Sequence, residues 1–86
     1  MTARGLVLYL RLADPESASV RIWIVERGLK SRIDFQNIEN EGAEAFAALG
    51  GGAVPALWDG ARLHVGPDDI RLALGAIIAA EERSIT

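Results

Sequence analysis

Residues Tyr9 to Leu29 read YLRLADPESASVRIWIVERGL, and this stretch decides the fold. It passes from a strand-like run into a turn and then into a helix. Gly5 to Arg11 (GLVLYLR) is rich in Leu, Val and Tyr, and a short continuous apolar run of this kind reads as a buried strand. Asp14 suits the N-cap of a helix, and Pro15 suits its first position, where the missing N–H costs nothing. The spacing predicts a helix to about Arg27, with Gly28 as its C-terminal stop. Small α/β proteins often hold their chemistry where a strand feeds a helix start. Asp14-Pro15-Glu16-Ser17 is therefore the first place to look for function.

The remainder of the chain extends this unit. Ile33 to Ile38 (IDFQNI) reads as a second strand with partial alternation, and Ala43 to Leu49 as a short Ala-rich helix. Gly50-Gly51-Gly52 ends that helix and reads as a flexible loop; it follows a helix instead of preceding one, so it makes a poor phosphate cradle. Val54 to Trp58 (VPALW) is a third strand, Asp59-Gly60 a strong hairpin-turn signal, and Ala61 to Val65 the returning strand. Gly66-Pro67-Asp68-Asp69 opens a last helix expected to reach about Glu82. The order is β-α-β-α-β-β-α in one domain spanning residues 1–86. A parallel, right-handed first βαβ unit follows from that order, and the Asp-Gly turn makes the last two strands antiparallel. The expected architecture is a four-stranded mixed sheet with helices on both faces.

Composition narrows the chemistry. With no cysteine, the chain has neither a disulfide nor thiol redox chemistry of its own. With His64 as its one histidine, it has little from which to build a metal site. That residue lies in the returning strand, where surface or half-buried packing is the plain reading. The 9 basic and 12 acidic residues are spread along the chain and sum to −3, so no basic nucleic-acid face is expected. No apolar run approaches the ~20 residues of a membrane span. The opening Met1 to Leu6 lacks the apolar core and cleavage site of a secretory leader, which makes the cytoplasm the expected location. Half of the residues are hydrophobic, and the mean hydropathy of +0.19 is high for 86 residues, a size at which surface dominates.

Three stretches carry a resemblance. SVRIWIVERGL (Ser19–Leu29) is similar to the end of the first helix of glutathione transferases, with its VR-x-x-L-x-E-x-G-L pattern. VPALWDG (Val54–Gly60) looks like the V-P-x-L…D-G element shared by those enzymes and glutaredoxins. VGPDDI (Val65–Ile70) resembles the G-G-x-D-D-L end of glutaredoxins. No one of these is specific, but their order and spacing over nearly the whole chain resemble a glutaredoxin, or the thioredoxin-fold N-terminal domain of a glutathione transferase. The resemblance puts Asp14-Pro15-Glu16-Ser17 on the C-P-x-C motif, with Asp14 in place of the nucleophilic cysteine and Ser17 in place of the resolving one. A carboxylate keeps the negative charge that a helix N-terminus favours. It cannot replace the thiolate that disulfide exchange requires.

The same resemblance implies a glutathione site in part. It implies a cis peptide before Pro55, with the Val54 backbone free to pair with an extended peptide such as glutathione. It puts Asp68 and Asp69 where an amino group would be met, and Arg11 where a glycyl carboxylate would be met. Pro67 removes one N–H donor from this cradle. Each feature also has a plain structural reading: a turn into a strand, and a helix start with Asp in its first turn. Ser17 and Ser19 are the hydroxyls available to steady a thiolate, or are ordinary helix residues beside a capping Asp14, whose carboxylate would repel such a thiolate. Tyr9 is expected in the core.

The helices are apolar over more than one face. Val20, Trp23, Ile24 and Arg27 form one stripe of the first helix, and Ile22, Val25 and Leu29 another. In the last helix Ile70, Ala73, Leu74, Ile77 and Ile78 form one stripe, with Leu72, Ala76, Ala79 and Ala80 beyond it. In glutathione transferases the outer face of these helices is covered by a C-terminal helical domain. The sequence ends at Thr86, which carries the expectation that no such domain covers it here. Ile22, Trp23, Val25, Leu72, Ala76 and Ala79 are the candidate interface for a protein partner or a second copy. The alternative is that several of them are core. Two functions are thus expected from the sequence: a redox-inactive interaction or accessory module, or a small glutathione-binding or transferase-like protein.

Overall fold

The computed structural model describes residues 5–85. Met1 to Arg4, where the stretch read as lacking a leader begins, lie outside them, as does Thr86. The described elements are strand β1 (Val7–Leu10), helix α1 (Pro15–Glu26), a 3₁₀ turn (Lys30–Arg32), strand β2 (Asp34–Asn37), helix α2 (Ala43–Ala48), strands β3 (Ala56–Trp58) and β4 (Leu63–Val65), and helix α3 (Pro67–Ile85). The four strands form one sheet in the order β2-β1-β3-β4. β1 runs parallel to β2 and antiparallel to β3, and β3 runs antiparallel to β4.

β1 is central, and its side chains alternate between two cores. Leu8 and Leu10 point to one face and pack with Val20 and Ile24 of α1, Leu57 of β3, and Ile70 and Leu74 of α3. Tyr9 points to the other face, where Phe46 of α2 and Ala56 are buried with it. Burial on both sides explains why this strand reads as continuously apolar. The two layers differ in thickness. α1 and α3 cover one face together, while α2 contributes a single buried residue, Phe46, to the other. The Phe46 and Tyr9 rings lie 5.0 Å apart at a tilt of 33°, a favourable aromatic contact.

Local chemistry sets the helix ends. Asp14 takes an extended backbone and accepts the Ser17 N–H, and Pro15 follows it. At the other end Gly28 adopts φ +68°. Its N–H donates to the Val25 carbonyl, and the Leu29 N–H reaches back to Ile24. This pair of bonds is a Schellman motif, and Leu29 and Ile24 close it by packing in the same core. α2 ends the same way: Gly50 at φ +80° donates to Ala47, and Gly51 donates to Phe46. Gly50 and Gly51 are therefore a fixed helix terminus, which corrects the reading of these two as part of a flexible loop.

Several strand bounds are shorter than the sequence predicts. β3 starts at Ala56 instead of Val54, and β4 at Leu63 instead of Ala61. The register pairs Trp58 with Leu63, so residues 59–62 form a four-residue connection and not a two-residue Asp-Gly turn. The Asp59 carboxylate is the reason, since its Oδ1 accepts the N–H groups of both Ala61 and Arg62 at 2.8 Å. The Lys30–Arg32 turn has no counterpart in the sequence reading. It is held from outside by an ion pair between Arg32 and Glu81 of α3.

A Cβ on Gly51 would fall within the Phe46 ring. Gly51→Ala must displace the one side chain that anchors α2, and such overpacking costs about 1–3 kcal/mol. Urea unfolding should show that loss as a lower midpoint at unchanged slope; an unchanged midpoint would mean that α2 is not anchored through Phe46.

Candidate functional site

The sheet register brings the sequence candidates to one end of the molecule. Tyr9 pairs with Ala56, and Ala56 with Val65. The end of β1, the start of β3 and the end of β4 are therefore level. Past them lie the N-terminus of α1, the Val54-Pro55 bond and the N-terminus of α3. The Val54-Pro55 bond is cis. The Pro55 carbonyl accepts the Gly66 N–H at 2.9 Å, which ties the turn before β3 to the start of α3. Val54 makes no backbone hydrogen bond among the described residues.

The α1 end of this region is closed by its own side chains. Asp14 Oδ2 accepts both the Ser17 N–H and the Ser17 hydroxyl, each at 2.9 Å. The Ser17 oxygen in turn accepts the Arg11 N–H at 3.3 Å. Ser17 is fully buried, at 0% exposure. Its proton and one lone pair are thus committed, and the positive end of the helix already faces a carboxylate. Asp14, Pro15 and Ser17 make a capping network; Glu16 stands exposed in the first turn and takes no part in it. Ser19 is exposed and lines the outer groove between α1 and α3.

The charged candidates point to partners of their own. The Arg11 guanidinium lies 3.4 Å from Glu39, and Asp68 accepts from Arg71 at 3.0 Å. Asp69 lies on the β4 side of α3, in a groove with His64 and Leu72. The structure brings Val54, Pro55 and the start of α3 to one end, but Arg11 and Asp68 pair with separate neighbours and Asp69 lies on the β4 side.

A polar centre that the sequence reading missed lies at the β3–β4 connection. His64 Nε2 meets Asp59 Oδ2 at 2.7 Å. Burial works to raise the Asp59 pKa, but the His64 hydrogen bond, the Arg62 and Ala61 N–H groups and the His64 charge outweigh it and hold the carboxyl at about 2, below its ordinary 3.8. Across the hairpin His64 is paired with Leu57, and it lies five positions after Asp59. That spacing is the one signal from which the pair was legible. Its connections describe a structural clasp on the loop. Among the described residues no cluster of His, Asp and Glu is arranged to hold a metal ion.

The candidate interface residues are mostly outward. Ile22, Val25 and Leu72 are 55%, 51% and 76% exposed, so they are not core. Ala76 and Ala79 are exposed as well. Trp23 is the exception: it packs against the main core, and the Arg27 guanidinium covers its ring at 4.2 Å. Trp23 turns inward against the core, whereas Ile22 stays in the outer groove with Arg71 of α3. Leu12 and Val65, also exposed, were not foreseen. No described helix is long and apolar enough to cross a membrane. The chain matches no protein-family model, no curated protein and no solved structure.

Asp59 has a lower pKa folded than unfolded, so its stabilisation is present in full above the ordinary aspartate range and is lost as pH falls through about 2. Asp59→Asn should cost about 2 kcal/mol at neutral pH, the size of hydrogen bonds to a charged group. In urea unfolding followed from neutral pH downward, the gap between wild type and variant should narrow as the acid limit is approached. A gap that stays constant with pH would exclude the charged clasp.

Proposed function

We propose that this chain is a thioredoxin-fold module of the glutaredoxin type, without thiol chemistry, that serves as an accessory subunit by docking on a protein partner. The fold half of this reading is supported by the sheet order β2-β1-β3-β4, the parallel β1–β2 and antiparallel β3–β4 pairs, and the cis bond before Pro55. A cytoplasmic setting goes with it. The functional half rests on one observation: Ile22 and Val25 of α1 and Leu72 of α3, the last on the β4 side of its helix, stand more than half exposed. Large apolar side chains held in water on adjacent helices favour burial against another surface. A partner that binds only the folded chain also stabilises it, which matters for a core of this size.

A second reading is kept by the Val54 backbone. Its free N–H and C=O beside the cis bond suit an extended peptide, and glutathione is the peptide that the resemblance implies. Against it stand the outward pairing of Arg11 and Asp68 and the closed Asp14–Ser17 cap.

Two outcomes are expected. In a mixed-disulfide reduction assay coupled to glutathione reductase, the protein should add nothing to the background rate, because no residue can carry the thiolate. A rate well above background would overturn the reading. In light scattering and pull-down, the wild type should associate, and the Val25→Glu, Leu72→Glu double variant should lose at least tenfold in affinity while keeping its melting temperature. A monomeric wild type whose partner capture is unchanged by the double variant would refute docking through this face. Saturable heat on titration with glutathione would then favour the second reading.

A further inference from the structure

Arg21 lies on the flank of α1 turned away from α3 and toward β2. Its Nε is buried and has no hydrogen-bond partner, and the guanidinium makes no ion pair among the described residues. Four other arginines are engaged, Arg11 by Glu39, Arg32 by Glu81, Arg71 by Asp68 and Arg27 by the Trp23 ring, while Arg62 stands exposed. A buried charged donor with nothing to donate to is costly and uncommon in a folded protein. Nε is the enclosed atom; the terminal guanidinium nitrogens are not enclosed, and they are the donors that an anion in the adjoining groove would meet.

The space beside Arg21 tells what kind of group fits. It lines a groove of about 240 Å³ together with Leu10, Leu12 and Phe35, which are apolar, and the amides of Asn37 and Asn40. That volume falls below the roughly 300–1,000 Å³ of drug-sized sites, so the occupant is small. Leu12 is 56% exposed at this groove and is left without a cover. Glu41 stands on the rim, where its carboxylate accepts the Asn37 N–H at 3.2 Å. A nearby negative charge penalises a dianion more than a monoanion, and so discriminates against phosphate. Arg presents a planar fork that matches a carboxylate.

We propose that the α1–β2 groove binds a small amphipathic monocarboxylate, with its carboxylate on the Arg21 guanidinium and its apolar part over Leu10, Leu12 and Phe35. None of its lining residues belongs to the candidate interface or to the Val54-Pro55 turn.

The test uses the full ¹⁵N-labelled chain and hexanoate as probe, with inorganic phosphate and hexylamine as controls. Hexanoate should shift the Arg21 Nε–H resonance and the Phe35 and Asn40 backbone amides saturably. Arg21→Gln should weaken hexanoate binding at least tenfold. Arg21→Lys, which keeps the charge and most of the stem but not the fork, should weaken it severalfold with an unchanged melting temperature. Glu41→Gln should raise phosphate affinity more than it raises hexanoate affinity. Absence of a saturable hexanoate shift in the wild type overturns the proposal. So does undiminished hexanoate binding by either Arg21 variant, or phosphate or hexylamine binding as tight as that of hexanoate.

Discussion

The burial of β1 on both faces is the constraint on which the rest depends. Leu8 and Leu10 can leave water on one side only if α1 and α3 lie there, and Tyr9 on the other only if Phe46 of α2 comes up beneath it. β1 also supplies the hydrogen bonds for β2 on one edge and β3 on the other, so it sets the level at which every loop emerges. The meeting of the α1 start, the Val54-Pro55 turn and the α3 start at one end follows from that register. A one-residue slip of β1 would exchange the two cores and scatter those loops.

At that end, the chain satisfies its own polar groups. The Asp14 carboxylate takes both donors that Ser17 offers, and Ser17 takes the Arg11 N–H. A cysteine at either position would lack one side of this arrangement, since sulfur is a weak acceptor and a weak donor. The closed cap and the missing thiol are consistent with each other. Both describe a helix start whose polar groups serve the cap.

How much of this could be read from the sequence depended on how local each cause is. Asp14-Pro15 and Gly28 act within a few residues of themselves, and both ends of α1 were legible from them. Strand ends were not, because Arg11, Val54 and Ala61 stop being strand only where their partners run out. The Asp59-Gly60 turn was legible in place but not in length, since it was decided by a carboxylate reaching two N–H groups and by His64 beyond them. Gly51 looked like one of three flexible residues because the ring above it belongs to Phe46, and sequence does not show that approach. Ile22 and Trp23 are adjacent apolar residues; only their places relative to the core decide which is covered. Arg21 gave no signal at all, since its lack of a partner is a property of the groove around it.

The unequal covering of the two sheet faces has a consequence for how the molecule breathes. Two helices of 12 and 19 residues guard one face, while a six-residue helix guards the other through one ring. Regions with few buried apolar contacts open locally at a free energy well below that of global unfolding. The segment from Gly42 to Gly51 is the part able to lift off while β1, β3 and the α1–α3 layer stay closed. Its amide protons would trade with solvent through that partial opening, and those of Leu8 and Leu57 only when the whole chain comes apart. The fold thus carries a rigid side and a yielding side, and the outward faces of α1 and α3, with Ile22, Val25 and Leu72, belong to the rigid one.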